Sequence, residues 1–340
     1  MGWGEVQAAE RAAWLRRTAL QLGFDGVGIA RADFLSEEAP RLEAWLKSGM
    51  HGGLGYMQRN FDERLDPRRL VPGTRTVVTL LYNYHNPRRP LDPKAPRIAS
   101  YALGRDYHRV VRTRVWRLLD AVRAEWGEQV EGMAFVDAAP VLERAWARRS
   151  GLGWIGKNGL LLTRKRGSYH FLAELLLDVD LAPDPPATEH CGTCRRCLDA
   201  CPTGAIVRPA VVDASLCIST FTIELRGPIP EPVAAHLEGW AFGCDICQEV
   251  CPWNRHATPH REPAFEPNPA LWGLAASDWQ DLSEEAFREL FRHSAVKRAG
   301  YMGLRRNLRA VFGFPPLPEP GKGSGPGDGG EGLVDDVAIP

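Results

Sequence analysis

The sequence predicts a mixed α/β fold (α+β) with more than one domain, and three observations support this. Segments with strand and helix character alternate over the first 181 residues. All eight cysteines lie between Cys191 and Cys251. A proline-rich stretch, residues 182–190, separates these two regions and has the composition of a linker. The chain has 340 residues, 44% of them hydrophobic, and is therefore long enough for two or three domains with packed cores.

The spacing of apolar residues predicts the elements of the first domain, residues 1–181. Apolar residues recur at helical intervals in four segments, and short β-branched or apolar runs predict five strands. The helices are predicted over residues 5–22, 35–47, 108–126 and 141–150, and the strands over 24–30, 76–82, 130–136, 160–163 and 169–179. We expect a turn at Gly167 to join the last two strands. Alternating helices and strands favour a layered domain.

Three further regions follow the first domain. Residues 182–256 contain the linker and all the cysteines, and form the second domain. Residues 257–314 are predicted to be a short C-terminal helical segment, with helical character strongest over residues 280–313. Residues 315–340 are rich in proline and glycine without apolar periodicity, so we expect a disordered tail.

Charge is balanced overall but uneven along the chain. The 42 Lys and Arg residues match the 42 Asp and Glu residues, which argues against a uniformly basic nucleic-acid binder. Residues 88–117 nevertheless carry a net charge of +7 and residues 288–309 a net charge of +6. Basic runs are usually solvated surfaces, but two of them modestly favour a polyanionic partner.

The start of the chain has neither the apolar run of a secretory signal nor a twin-arginine signal, and no segment is apolar enough to span a membrane. We therefore expect a cytoplasmic protein without membrane contact. Cysteines in that compartment are normally reduced, so eight clustered cysteines indicate metal ligands rather than disulfides.

The cysteine spacing predicts two [4Fe-4S] clusters. The first four cysteines follow the pattern C-x2-C-x2-C-x3-C-P, in which the cysteine before the proline binds the other cluster of a two-cluster module. A second, partial copy begins at Cys244 and lacks its leading cysteine, for which Cys217 can substitute. Cluster 1 then takes Cys191, Cys194, Cys197 and Cys251, and cluster 2 takes Cys201, Cys217, Cys244 and Cys247. Zinc knuckles are the alternative, but zinc does not require the triple spacing or the Cys-Pro ends.

Asp137 is the first candidate catalytic residue. It follows the predicted strand 130–136 and precedes a predicted helix, at a strand end where α/β proteins often place functional groups. The alternative is a helix N-cap, since a proline follows three residues later.

Two other motifs are poor matches to known cofactor sites. The segment from Gly151 to Gly156 matches G-x-G-x-x-G, but it follows a helix and precedes a strand, the reverse of a dinucleotide site. The segment from Asp106 to Val111 resembles the D-x-H-x-x-G signature of histidine-ligated cobalamin, but Val111 replaces the glycine. His108 is therefore predicted to be a pocket or helix-surface residue rather than a cobalt ligand.

Over residues 5–313 the sequence resembles the epoxyqueuosine reductases, which complete queuosine synthesis in tRNA. The resemblance is carried by residues 101–108 (YALGRDYH), 136–143 (VDAAPVLE) and 153–158 (GWIGKN), by both cysteine motifs, and by segments within 217–224 and 295–299. It implies a nitroreductase-like cobalamin-binding domain, a bacterial two-[4Fe-4S] ferredoxin-like module and a short helical segment that is a remnant of HEAT-like repeats.

The resemblance also implies a reaction. The family reduces the epoxide of epoxyqueuosine at the tRNA wobble position, giving queuosine and water. We expect the clusters to reduce cob(II)alamin to cob(I)alamin one electron at a time, and the residue matching the family's proton donor is Asp137. Because a donor must hold its proton near neutral pH, we expect burial to raise the pKa of Asp137.

Further site residues follow from the same resemblance. The residues expected to line the cobalamin pocket are Asn60, Ser100, Tyr101, His108, Ser219 and Asp245. The residues expected to contact tRNA phosphates are Arg226, Lys297, Arg298, Arg305 and Arg306. An external electron donor such as a ferredoxin or flavodoxin is implied, and the family suggests a monomer.

Two alternatives belong to other functional classes. A cobalamin and iron–sulfur reductive dehalogenase would be expected to carry a twin-arginine export signal. A ferredoxin-type electron carrier would not need a domain of about 180 residues beside its clusters.

Overall fold

The computed structural model describes residues 3–314, so the predicted disordered tail lies outside the described residues. Fourteen α-helices are found in this range, with five short 3-10 segments between them. The helices are α1 (Trp3–Gln21), α2 (Ala39–Lys47), α3 (Phe61–Leu65), α4 (Pro67–Leu70), α5 (Tyr107–Trp126), α6 (Glu143–Arg149), α7 (Arg196–Asp199), α8 (Ile218–Ile223), α9 (Glu231–Ala234), α10 (Ile246–Glu249), α11 (Pro269–Trp272), α12 (Ala276–Gln280), α13 (Glu284–Leu290) and α14 (Gly300–Val311). The strands are β1 (Gly26–Arg31), β2 (Thr76–Asn83), β3 (Arg97–Ile98), β4 (Gly132–Phe135), β5 (Trp154–Ile155), β6 (Leu161–Leu162), β7 (His170–Leu177), β8 (Ile206–Arg208), β9 (Val211–Val212) and β10 (Trp240–Phe242).

A four-stranded sheet forms the centre of the first domain, in the order β1-β2-β7-β4. All three pairings are antiparallel, so the sheet has α+β character although strands and helices alternate along the chain. β2 and β7 are the inner strands, and all eight residues of β2 are buried. The apolar runs that predicted these strands reflect burial on both faces.

Helices cover both faces of this sheet. α1 and α5 lie on one face, where Leu15 and Leu118 join the core formed by alternate residues of β2 and β7. α2 and α6 lie on the other face, where Trp146 packs with Val77 and Leu176. Because successive strand residues point to opposite faces, both cores are built from the same strands.

The cysteine-rich region is joined to both of its neighbours. β3 of the first domain pairs in parallel with β10, and the C-terminal helices pack on β10 through Leu304 and Leu308. The fully buried Asn307 donates its side-chain amide to the carbonyl oxygens of Thr222 and Ala241. The three regions therefore share hydrophobic cores and hydrogen bonds.

The region around Gly167 differs in detail from the prediction. β6 pairs with β5 rather than with β7, and a single bridge between Thr163 and Gly167 closes a tight local loop before β7. The G-x-G-x-x-G match lies where α6 leads into β5, as expected. A Cβ at Gly153 would lie 2.1 Å from the carbonyl oxygen of Leu162, so close strand packing requires this glycine.

None of the helices within residues 3–314 has both the length and the apolar character that crossing a membrane requires.

Candidate active site and metal centre

Asp137 lies in the loop that follows β4 and has left-handed backbone geometry, with φ +56°. The next helix, α6, begins at Glu143 and is preceded by Leu142 as its N-cap residue. The alternative interpretation of Asp137 as a helix N-cap is therefore wrong. The loop leaves 55% of the Asp137 side chain exposed to solvent.

Two neighbouring residues at the start of α5 contact the Asp137 carboxylate. The Tyr107 hydroxyl donates a hydrogen bond to Oδ2, and Nε2 of His108 lies 3.5 Å from the same oxygen. The other ring nitrogen of His108, Nδ1, lies 2.7 Å from Oδ1 of Asp106, the N-cap residue of α5. His108 is thus held between two carboxylates.

These contacts determine which of the two side chains, His108 or Asp137, is protonated at neutral pH. Burial acts to lower the pKa of His108, but hydrogen bonds with Asp106 and Asp137 outweigh it and raise the pKa to about 9. Partial desolvation acts to raise the pKa of the half-exposed Asp137, but hydrogen bonds from His108 and Tyr107 leave it below its usual value. The expectation of a raised pKa at Asp137 is therefore wrong. At neutral pH the proton is on His108, beside an ionised Asp137.

Aromatic rings pack against the polar group formed by Asp137, Tyr107 and His108. Tyr107 stacks on Phe171 of β7 with ring centroids 4.1 Å apart and an angle of 6° between the planes. Tyr101 meets the edge of Tyr107, and its pKa is raised by burial and by the carboxylates of Asp137 and Asp245. Because Asp245 is next to Cys244 in the chain, Tyr101 connects the Asp137 site to the cysteine-rich domain.

The eight thiols form two groups, judged by which of them interact electrostatically. Cys251 interacts with Cys191 and Cys194, and Cys197 interacts with Cys251 and Cys191. In the second group, Cys247 interacts with Cys244, Cys217 and Cys201. Cys201 and Cys251 therefore each lie with the cysteines of the other sequence motif. Burial raises the pKa of Cys217, Cys244, Cys247, Cys197 and Cys251, and binding to iron would favour their thiolate forms.

Residues 154 and 157 of the first domain contact the loop that carries the first group. The indole N–H of Trp154 donates to Sγ of Cys191 at 3.4 Å. The Lys157 ammonium donates to the carbonyl oxygens of Gly192 and Cys194 at 2.6 and 2.9 Å. In the second group, the backbone and the hydroxyl of Ser219 hydrogen-bond to the Cys217 thiol.

A set of eight thiols with these neighbours fits two iron–sulfur clusters. Each cube is held by four thiolates, and N–H donors to sulfur and local solvent exposure tune its reduction potential. Among the described residues, no group of three or more His, Cys, Asp or Glu side chains converges on a single metal ion. A cube does not require such convergence, because each of its irons takes a different thiolate.

The predicted cobalamin residues occupy different surroundings. His108 adjoins Asp137, and Tyr101 lies between Asp137 and Asp245. Asp245 is only 4% exposed and accepts the backbone N–H of Ser100 at 2.7 Å. Asn60 is an exposed residue with left-handed backbone geometry that precedes α3. Ser219 adjoins Cys217, so these residues are spread between the Asp137 site and the second thiol group.

The predicted tRNA residues divide into two sets. Lys297 and Arg305 are exposed, and Arg298 is exposed but forms an ion pair with Glu224 at 2.8 Å. Arg226 donates to the carbonyl oxygen of Ala299. Arg306 is the most heavily bonded of the five, and its guanidinium donates to the backbone carbonyl oxygens of Phe221, Leu225 and Gly227. A guanidinium with so many partners has few N–H groups left for phosphate.

Sequence reasoning missed several residues of the site. Tyr107 lies in the motif of residues 101–108, but the sequence did not predict a role for its hydroxyl. Tyr56 and Glu224 act electrostatically on each other, and Asp137 acts on Tyr56, which brings distant segments to the site. Glu143 and Glu174 lie beneath the Asp137 loop. The one available signal was Glu174 itself, a charged residue within an otherwise apolar strand.

Comparisons with known proteins agree with these features. Residues 190–254 match the family described as 4Fe-4S double cluster binding domain, and residues 64–138 match the family described as Epoxyqueuosine reductase QueG, DUF1730. The chain is 52% identical to the epoxyqueuosine reductase of Cellulophaga algicola over 294 residues, which cover 86% of this chain and 95% of that relative.

Solved structures give the same result. An epoxyqueuosine reductase crystallised with an epoxyqueuosine-modified tRNA-Tyr stem loop matches with a TM-score of 0.81 and 29% identity, over 88% of this chain and 80% of that one. A structure of the Bacillus subtilis epoxyqueuosine reductase, described with its catalytic aspartate loop swung out of the active site, matches with the same score, identity and coverage. Both the sequence and the fold show that this chain belongs to the epoxyqueuosine reductase family.

Proposed function

We propose that this chain reduces epoxyqueuosine in tRNA to queuosine, with electrons that pass through two [4Fe-4S] clusters and a proton delivered at Asp137. The observation that carries the proposal is the position of the Ser100–Tyr101 segment: Tyr101 packs against Tyr107, which donates to Asp137, and the Ser100 N–H donates to Asp245 beside Cys244. A proton site and an electron path are therefore adjacent. Removal of the epoxide oxygen as water consumes two electrons and two protons, so both are needed.

The thiol groups support the ligand assignment. We infer that Cys191, Cys194, Cys197 and Cys251 hold one cluster, and that Cys201, Cys217, Cys244 and Cys247 hold the other. We also propose the domain limits 1–181, 182–256 and 257–314, an external single-electron donor such as a ferredoxin or flavodoxin, a monomeric state and a cytoplasmic location.

Cobalamin is the cofactor that we propose for the space beside Asp137. Both ring nitrogens of His108 face carboxylates and its pKa is raised to about 9, so it is not free to bind cobalt. The Asp137 side chain is 55% exposed, so a molecule bound at this face can reach it. When bound, reduced cobalamin would supply the two electrons that the reduction requires. The residues that would hold it are Asn60, Ser100, Tyr101, His108 and Ser219, with Asp245 fixing the backbone of Ser100.

The protein's own residues supply the proton. Tyr107 and His108 orient the Asp137 carboxylate, and the protonated His108 ring is the nearest store for the proton that leaves through Asp137. Asp106 keeps the imidazolium in place by accepting from Nδ1. Asp137 is the group open to solvent, so it is the one placed to protonate the epoxide oxygen.

Anaerobic reconstitution tests the proposed function. Purified chain with iron, sulfide, cobalamin and a strong reductant is expected to convert epoxyqueuosine in a tRNA stem loop to queuosine. Visible spectra would report the clusters and bound cobalamin separately. Iron–sulfur bands without cobalamin binding would indicate an electron carrier. Cobalamin bands with activity on halogenated compounds, but none on tRNA, would indicate a dehalogenase.

Turnover is expected to fall as the pH rises through about 9. His108 has a raised pKa, so its proton is present below that pH and is lost above it. The single-turnover rate of the reduced enzyme, measured from about pH 6 to pH 10, checks this. His108→Gln cannot carry the proton and is expected to be slow at every pH and to lack the step near pH 9 that His108 causes. A wild-type rate that is unchanged up to pH 10 would contradict the role of His108.

Binding of tRNA is expected to weaken with salt through the exposed basic residues of the C-terminal segment. Each phosphate contact contributes about 0.7–0.9 to the slope of log affinity against log salt. Replacing Lys297 and Arg305 by alanine is expected to reduce that slope by about 1–2, as measured by fluorescence anisotropy. Arg41→Ala, which removes an arginine paired with Glu38, serves as the control. A slope unchanged by the double replacement would exclude these two contacts.

A further inference from the structure

Glu174 is a carboxyl group buried in the middle of the central sheet. It lies on β7 between Thr79 of β2 and Phe135 of β4, and its side chain is 0% exposed. An ionised carboxylate without a partner is very costly in such a place, so the group there must be neutral or strongly hydrogen-bonded.

Glu174 has an unusual hydrogen-bond partner. Within residues 3–314, neither of its oxygens accepts a hydrogen bond from an N–H or hydroxyl group, and the Thr79 hydroxyl opposite it also lacks a partner. The nearest acidic neighbour of Glu174 is Glu143, the first residue of α6; burial and the Glu143 carboxyl raise the pKa of Glu174 well above its usual value. Glu174 therefore keeps its proton at neutral pH. It is the donor of the pair, and Glu143 is the acceptor.

Glu143 also contacts the catalytic loop. Its Oε1 accepts the backbone N–H of Asp137 at 2.7 Å. Asp137 needs such a restraint because its left-handed φ of +56° is sparsely populated by residues with a side chain. The loop is thus linked through Glu143 to a carboxyl group in the most rigid part of the sheet.

We propose that Glu143 is the positioning residue of the Asp137 loop, and that the proton it shares with Glu174 keeps it in place. The pair does not touch the reacting atoms and acts through the Asp137 backbone. The proposal extends the proposed role of Asp137 as proton donor. Only its prediction for kcat rests on that role, and its prediction for hydrogen exchange does not.

The charges around the pair set the pH at which it loses its proton. Glu143 faces Glu174 from the sheet, Asp137 from the loop and Arg144 from its own helix. Burial and the Asp137 carboxylate raise the pKa of Glu143 to about 8, against the opposing effect of Arg144. Because the folded protein holds a proton that the unfolded chain releases, this contribution to stability is lost as the pH rises through about 8. The Glu143 and Asp137 carboxylates then repel each other, which weakens the restraint on the loop.

Hydrogen exchange of the Asp137 amide tests the proposal without substrate or cofactor turnover, so its outcome is independent of the proposed function. The protection factor, which corrects for the intrinsic pH dependence of exchange, is measured at about pH 7 and pH 9 in the holoprotein. The variants are Glu143→Ala, Glu143→Gln and Glu174→Gln. Glu128→Gln, an exposed position just beyond the far end of α5, is the matched control.

Each variant has a distinct expected result. Wild type and Glu128→Gln are expected to lose about tenfold protection at Asp137 between the two pH values, while amides of α5 keep theirs. Glu143→Ala removes the acceptor and is expected to lose protection at both. Glu143→Gln keeps an acceptor for the Asp137 amide but cannot ionise, so its protection is expected to be independent of pH. Glu174→Gln keeps an amide donor beside Glu143, which can still ionise, so its protection is expected to follow that of wild type.

Two outcomes would overturn the proposal. One is unchanged Asp137 protection in Glu143→Ala. The other is a pH-dependent loss that persists in Glu143→Gln. If protection changes as expected but kcat of Glu143→Ala stays normal, the loop restraint stands and the role of Asp137 as proton donor fails.

Discussion

Replacing Asp137 by asparagine is expected to slow epoxide reduction by about 10²–10⁴-fold, the usual contribution of a positioned proton donor. Asparagine has nearly the same size and its oxygen can still accept from Tyr107. It cannot release a proton to an oxygen that leaves a carbon, and it cannot hold His108 in its charged form. The loss is therefore expected in the chemical step rather than in binding.

Single-turnover kinetics on pre-reduced enzyme measure that step directly. Cobalamin binding, followed by visible absorption, and tRNA affinity are both expected to stay within about threefold of wild type, because the change is isosteric. Asp120→Asn on the exposed side of α5 is the matched control and is expected to react normally. A near-normal single-turnover rate in Asp137→Asn would remove Asp137 from the reaction.

Asp106→Asn distinguishes the effect of Asp106 on His108 from that of Asp137. It replaces the carboxylate beside Nδ1 by a neutral amide, whose oxygen can still accept, and leaves Asp137 and Tyr107 intact. The pKa of His108 is then expected to fall, since a hydrogen bond with Asp106 is the largest of the effects that raise it. The alkaline decline in rate is expected to move to lower pH, whereas Asp137→Asn lowers the rate across the whole range. Different signatures for the two variants distinguish holding a proton from delivering it.

The position of Asp137 could be predicted from sequence, but its pKa could not. A carboxylate after a strand is a local pattern, and the motif around it supported a role. The direction of its pKa depends on Tyr107 and His108, which lie about 30 residues earlier on a separate helix. Burial alone predicted a raised pKa, whereas two hydrogen-bond donors lower it. Local sequence does not report which side chains meet across elements.

The same limit applies to the sheet. The strands were predicted because they are apolar on both faces, and β2 is buried along its whole length. Their antiparallel order depends on connections between residues 31 and 76, and between 83 and 132, that carry no short turn signal. The Glu143–Glu174 contact was missed for this reason. One glutamate begins a helix, the other lies within a strand, and only the folded sheet brings them together.

Local spacing predicts which cysteines bind each cluster, and that assignment leads to the last prediction. Cys201 ends the first motif but interacts with Cys217, Cys244 and Cys247. Cys251 ends the second motif but interacts with Cys191 and Cys194. We expect each of Cys201→Ala and Cys251→Ala to destroy one cluster, which reduces the iron content from about eight to about four atoms per chain. Turnover is expected to be lost in both.

Spectroscopy identifies which cluster each variant loses. Two clusters in different surroundings differ in reduction potential, and the first group has an indole N–H donor to Cys191. In a redox titration followed by electron paramagnetic resonance, Cys251→Ala is expected to lose the same signal as Cys194→Ala. Cys201→Ala is expected to lose the same signal as Cys217→Ala. Thr203→Val removes the hydroxyl beside Cys201 Sγ but keeps all eight thiols, and is expected to retain both signals.

The alternative assignment, in which each motif binds its own cluster, predicts a different loss of signals. If each motif bound its own cluster, Cys201→Ala would match Cys194→Ala, and Cys251→Ala would match Cys247→Ala. The proposed crossed arrangement would instead tie both motifs together, because each cluster would take a thiolate from each motif. Loss of either crossing cysteine would then disturb the fold of the whole module, as well as break the electron path toward Tyr101 and Asp137. Hydrogen exchange across residues 191–251 is expected to rise in both crossing variants and to stay near wild type in Thr203→Val.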